Sequence, residues 1–169
     1  MPVTKICTMN LVLVAYATRT ASARDVAELV ADVFREGGHD VRVSDLKGQP
    51  AVDGADLVVF GSGINANNWY SEATTWAASR ADDLRATRVA VFNTCLSAKD
   101  PAARDQALGY NAQMVELTGA EASESFAGRY VPAKVGFFRR LLMRSMNHGE
   151  QDHLDPAAVR RWAQGLAAS

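Results

Sequence analysis

The sequence predicts a doubly wound α/β fold, a five-stranded parallel sheet with helices on both faces. Three observations predict it: short apolar runs, helical apolar periodicity between them, and alternation of the two along the chain. The run Leu11-Val12-Leu13-Val14-Ala15-Tyr16 has no polar face, which suits a strand covered on both sides in a parallel sheet.

The elements follow in order. Residues 1–9 form an N-terminal extension and 11–16 the first strand. Val26, Leu29, Val30, Val33 and Phe34 then recur at i, i+3, i+4, i+7 and i+8, one face of a helix, with Ser22 as its expected N-cap and Gly37-Gly38 as its end. Strands are predicted at 39–46, 55–60, 88–92 and 123–128. Helices are predicted at 71–80, 102–118 and 155–167, the last opened by Asp155 as N-cap and Pro156 at its first position. No repeat or linker intervenes, so 1–169 reads as one domain, with a basic amphipathic insert at 129–152 before the last helix.

Composition narrows the function. With 48% hydrophobic residues in 169, the chain can cover both faces of one sheet. Its 18 basic and 19 acidic residues nearly cancel, so no general field favours nucleic acid. Cys7 and Cys95 make no multi-bridge framework and match no zinc spacing, which fits a reducing, cytoplasmic compartment. No apolar run approaches the roughly 20 residues of a membrane span, and the start lacks the apolar segment of a signal peptide. A soluble protein is expected.

In open parallel sheets ligands bind beyond the carboxyl ends of the strands, which selects the loops after Tyr16, Phe60, Phe92 and Gly128. The first, Thr18-Arg19-Thr20-Ala21-Ser22-Ala23, places hydroxyls at a helix start, where N–H groups without intrahelical partners and the macrodipole suit an anion. The alternative is that Ser22 only caps the helix while Thr18 and Thr20 fill a turn. This loop has neither a Gly-x-Gly-x-x-Gly fingerprint nor a P-loop lysine. A cysteine phosphatase is excluded because no Cys follows the first strand and the sixth residue after Cys95 is Pro101. A receiver domain is excluded by the lack of an acidic cluster at the strand ends.

The pattern resembles the flavodoxins, whose first loop is typically Ser/Thr-x-Thr-Gly-x-Thr. Thr18 and Thr20 match the first two hydroxyl positions, Ala21 stands where the family commonly has Gly, and Ala23 replaces the last Thr beside Ser22. The resemblance implies a flavodoxin-like fold and a site for flavin mononucleotide (FMN), with the phosphate on this loop. It places Gly61-Ser62-Gly63-Ile64-Asn65-Ala66-Asn67-Asn68-Trp69-Tyr70 along the isoalloxazine ring, where a peptide able to flip would present a carbonyl to reduced flavin. Ser62, Gly63, Ile64, Asn65, Asn67 and Trp69 are the contacts expected there. Trp69 or Tyr70 would either stack on the ring or pack in the interior. Asn93, Thr94, Cys95, Leu96 and Ser97 would meet the pyrimidine edge, with Cys95 a contact and not a nucleophile, since no activating base is near it in sequence. Tyr130, past the last strand, completes the set. No catalytic residue and no metal ligand is assigned.

From Ser125 to Gly149 no acidic residue occurs, while Arg129, Lys134, Arg139, Arg140 and Arg144 are basic. Phe137, Phe138, Leu141, Leu142 and Met146 recur at helical spacing, giving either a packed helix with solvated arginines or a docking surface for an acidic protein, an anionic membrane or an acidic cofactor tail. Residues 136–150 resemble the late region of the menaquinone-dependent protoporphyrinogen oxidases, which implies a quinone-type acceptor and a membrane-peripheral location. Otherwise a redox partner protein is expected. Three readings stand: an FMN redox protein, either carrier or small oxidoreductase; a hydride-transfer protein using 8-hydroxy-5-deazaflavin (coenzyme F420), whose phosphate and polyglutamate tail Arg19 and the later arginines would serve; and a cofactor-free binding module.

Overall fold

The computed structural model describes residues 10–130, 151–152 and 154–169. The 1–9 extension and residues 131–150, with Phe137, Phe138, Arg139, Arg140 and Arg144, lie outside the described residues. Strands β1 (Leu11–Ala17), β2 (Asp40–Asp45), β3 (Leu57–Asn65), β5 (Arg88–Cys95) and β6 (Ala122–Ala127) form the parallel sheet. Their spatial order is β2-β1-β3-β5-β6, and the two-residue β4 (Asn68–Trp69) turns back antiparallel on β3. The strand order reverses at β1, which opens a crevice at the carboxyl ends of β1 and β3.

Strand periodicity divides each apolar run between two cores. Val12, Val14, Val59 and Phe92 face helix α1 (Ser22–Glu36) and the C-terminal helix α6 (Pro156–Ala168). Leu13, Ala15, Val58, Phe60 and Val91 face the opposite layer, containing α2 (Ser71–Ser79), α3 (Ala81–Arg85) and α5 (Ala112–Thr118). Helix α6 starts as expected: Asp155 Oδ1 accepts from the N–H groups of Ala157 and Ala158 at 3.0 and 3.3 Å, with Pro156 in the first turn. The ends of the insert pair with each other, β7 (Arg129–Tyr130) against β8 (Gln151–Asp152).

Four expectations change. Ser22 is the first helical residue and not the N-cap; that position falls to Ala21, whose left-handed backbone (φ 68°) aims the chain into the helix without a side-chain cap. The segment 102–118 is not one helix. Its α4 (Arg104–Gly109) and α5 parts are separated at Tyr110-Asn111, where i→i−3 bonds tighten the backbone and the Asn111 side chain turns inward. The central strands outrun their apolar runs, β3 to Asn65 and β5 to Cys95, because buried Ser62 and Asn93 find polar partners that offset their desolvation. Finally, Gly61 and Gly63 lie in extended strand. The positive φ values of the second loop belong to Ala66 (49°) and Asn67 (66°), the central pair of a hairpin turn between β3 and β4 whose twist demands them.

Candidate functional site

A cleft of about 590 Å³ lies at the carboxyl end of the sheet. Arg19, Thr20 and Ser22 come from the β1–α1 connection, Gly63, Ile64 and Asn65 from the end of β3, and Trp69, Tyr70 and Ser71 from β4 and the start of α2. Thr94 and Cys95 come from the end of β5, Leu96 from the turn after it, and Gly128 from the end of β6.

The first loop is shaped by Ala21. Left-handed backbone costs a non-glycine residue roughly 1–2 kcal/mol, and Ala21 adopts it while 4% exposed. The turn a glycine would make is thus kept. It leaves Thr20 Oγ1 and Ser22 Oγ 2.9 Å apart in the lining of the cleft, at the start of α1. The first intrahelical bond runs from Asp25 N to Ala21 O at 2.9 Å, so the N–H groups before it lie in the part of the helix that has no intrahelical acceptor. Ala23 is buried against the core and adds nothing to the cleft. Thr18 is half-buried outside the lining, its carbonyl accepting from Arg19 Nη1 at 3.1 Å.

Arg19 and Glu72 clasp the first loop to α2. Arg19 Nη1 donates to Glu72 Oε1, Nη2 donates to Oε2 at 3.0 Å, and the guanidinium carbon sits 4.3 Å from the Tyr70 ring centroid. The Arg19 hydrogen bond holds the Glu72 carboxyl below its usual range, against a smaller opposing effect of burial. Tyr70 in turn lies over Gly63: a Cβ there would come 2.8 Å from Tyr70 Cε2. Gly128 differs, since a Cβ there would stand at ordinary contact distance, 3.5 Å from Cys95 N and 3.7 Å from Ser22 Oγ.

Several predicted residues support the cleft from behind. Ser62 is fully buried, donating to Gly63 O at 2.7 Å and accepting from Tyr70 N at 2.9 Å, which ties β3 to the start of α2. Asn93 is fully buried; its Nδ2 donates to Ala107 O at 2.7 Å and to Asn111 Oδ1 at 2.9 Å, and its Oδ1 accepts from Ser125 Oγ at 2.7 Å. Asn67 accepts from Tyr110 Oη at 2.9 Å, beside a separate small pocket. Trp69 is 7% exposed, with its ring edge-on to Phe60 and its Nε1 donating to Asn111 Oδ1 at 3.1 Å. It is held as a core residue with one edge at the cleft. Cys95 is half-buried, its carbonyl accepting from Gly128 N at 3.3 Å, and Leu96 is 38% exposed at the mouth. The backbone of Tyr130 belongs to β7.

Sequence reasoning missed Ser71, Glu72, Asn111 and Gly128 as parts of the site and its support. Only Glu72 carried a local signal, an acidic residue in the first turn of a helix. Asn111 is the hub of the supporting network: besides its two acceptor bonds, its Nδ2 donates to Ser123 Oγ and Glu124 O, both at 2.9 Å. Its amide orientation is set by the Trp69 indole nitrogen, which can only donate.

Known structures share this architecture. Oxidised Flavodoxin 1 from Bacillus cereus superposes with a TM-score of 0.61 at 13% identity, covering 94% of this chain and 98% of that one. A short-chain flavodoxin associated with a non-canonical PDU bacterial microcompartment gives 0.61 at 17% identity, covering 95% and 98%. The rubredoxin oxygen:oxidoreductase of Desulfovibrio gigas gives 0.57 at 14% identity; 95% of this chain is covered but only 37% of that larger one. No curated protein matches the sequence. The flavodoxin domain model matches residues 13–156, most of the chain and all of the strands that frame the cleft, and the chain therefore belongs to the flavodoxin-domain family.

Proposed function

We propose that the chain binds FMN in this cleft and serves as a redox protein, a carrier or small oxidoreductase whose chemistry resides in the flavin. The observation that carries this reading is the division of the lining. Hydroxyls and a helix start come from the β1 loop, while apolar Ile64, Tyr70 and Leu96 come from the end of β3, the start of α2 and the turn after β5. That division suits a ligand with an anionic end and a flat apolar end. The volume lies within the roughly 300–1,000 Å³ of ligand sites, and Gly63 leaves room where a Cβ would crowd the Tyr70 ring.

FMN, when bound, supplies one- and two-electron redox chemistry, and the protein supplies binding, orientation and dielectric. Thr20, Ser22 and the start of α1 would hold the phosphate. Tyr70, braced by Arg19, would flank the ring, and backbone groups of Thr94, Cys95 and Leu96 would border its polar edge. Leu96 and Ile64 would exclude water from part of the ring. The deazaflavin reading asks Arg19 to meet an anionic tail, yet both its terminal nitrogens are bonded to Glu72, which supports FMN over coenzyme F420.

Titration of the purified chain with FMN, followed by flavin fluorescence and absorbance, tests the proposal. Saturable quenching with a flavin spectrum supports it; binding of deazaflavin alone would move the function to hydride transfer, and no binding of either would leave a cofactor-free module. Quinone-linked oxidation and a membrane-peripheral role for 137–144 are then tested by turnover with quinone in vesicles. Among the described residues no helix is long and apolar enough to cross a membrane.

A further inference from the structure

Among the described residues that line the cleft Arg19 is the one charged residue, and it stands between Thr18 and Thr20 in the loop proposed to hold a phosphate. A cation there would ordinarily serve the anion. Here both terminal nitrogens of the guanidinium are engaged by Glu72, Nη1 also by Thr18 O, and one face rests on the Tyr70 ring. The acid is the better anchored partner. Its side chain is 12% exposed against 45% for Arg19, and it sits in the first turn of α2, where the macrodipole favours a carboxylate. The bidentate pair is close to neutral as seen from the cleft.

We propose that Glu72 is a specificity-determining residue that withholds Arg19 from the ligand phosphate, so that the phosphate is held by hydroxyl and backbone donors alone. The inference rests on the phosphate position proposed above. With the cation cancelled, binding depends weakly on ionic strength, and a phosphate is favoured by hydrogen-bond geometry instead of by net charge.

The test compares wild type, Glu72→Gln, Arg19→Met and the double variant, titrated with FMN and with riboflavin at low and high salt. Glu72→Gln should tighten FMN by about five-fold or more at low salt, the scale of an unmasked charge-assisted contact at a partly exposed site. High salt should erase most of that gain, riboflavin should be unaffected, and the gain should vanish when Arg19 is Met. Unchanged FMN affinity in Glu72→Gln overturns the proposal, as does any change that riboflavin shares equally, which would make the clasp scaffolding. If wild type binds neither flavin, the FMN reading fails, and inorganic phosphate decides the withholding separately. A larger phosphate-dependent rise in Tm for Glu72→Gln than for wild type and the double variant sustains it; equal rises refute it.

Discussion

Replacing Asn111 by Leu removes the hub behind the cleft while keeping a side chain of similar length that excludes water. The Asn111 side chain makes four hydrogen bonds from a fully buried position. Two of its partners, Ser123 Oγ and Glu124 O, belong to half-buried residues of edge strand β6 and can turn to solvent. The other two, Trp69 Nε1 and one hydrogen of Asn93 Nδ2, cannot, because Trp69 is 7% exposed and Asn93 is fully buried. Each stranded buried donor costs about 1–3 kcal/mol, and the added apolar surface returns roughly 1–2 kcal/mol at most. The net loss is about 3 kcal/mol, a large share of the ~5–15 kcal/mol of a typical domain. In urea this appears as a midpoint lowered by about 1–2 M with an unchanged slope, and on heating as a Tm lowered by about 6–12 °C. A Trp69→Phe change, which deletes one stranded donor, should cost less in the Asn111→Leu background than in wild type. A loss below ~1 kcal/mol, or strict additivity of the two changes, would refute this account of the network.

Further outcomes concern the cleft. Glu72 has a lowered carboxyl pKa in the folded state, so its pair with Arg19 contributes stability above the ordinary glutamate value of 4.5 that is lost as pH falls through the lowered one. The Tm difference between wild type and Glu72→Gln should be largest near neutral pH and vanish in stronger acid; a difference that persists there would contradict the linkage. Thr20→Ala combined with Ser22→Ala should weaken FMN by about ten-fold or more, whereas Thr18→Ala, outside the lining, should bind nearly as wild type by fluorescence titration. Gly63→Ala brings a methyl 2.8 Å from the Tyr70 ring and should displace it. The expected signs are weakened flavin binding and altered tyrosine fluorescence, with far-UV circular dichroism retained.

The strands, the apolar face of α1, the Asp155-Pro156 start of α6 and the choice of loops could all be read locally. Each depends on periodicity, capping or turn chemistry within a few residues. The same holds for the hydroxyls of Thr20 and Ser22, placed by the first strand and helix that flank them. The extended ends of β3 and β5 were not legible, because a buried Ser62 or Asn93 is acceptable only once the chain supplies its partners from other elements. The break at Asn111 was hidden for the same reason, since its side chain is satisfied by residues of β4, β5 and β6. Ala21 looked like a lost glycine, and only the folded loop shows an alanine holding the glycine's conformation. Arg19 and Glu72 are 53 residues apart, and no local pattern pairs them. Local chemistry therefore determined which elements form and which loops line the cleft. Tertiary packing decided which polar groups face the cleft, because whether a charge or amide is available there depends on the distant partners that have already claimed it.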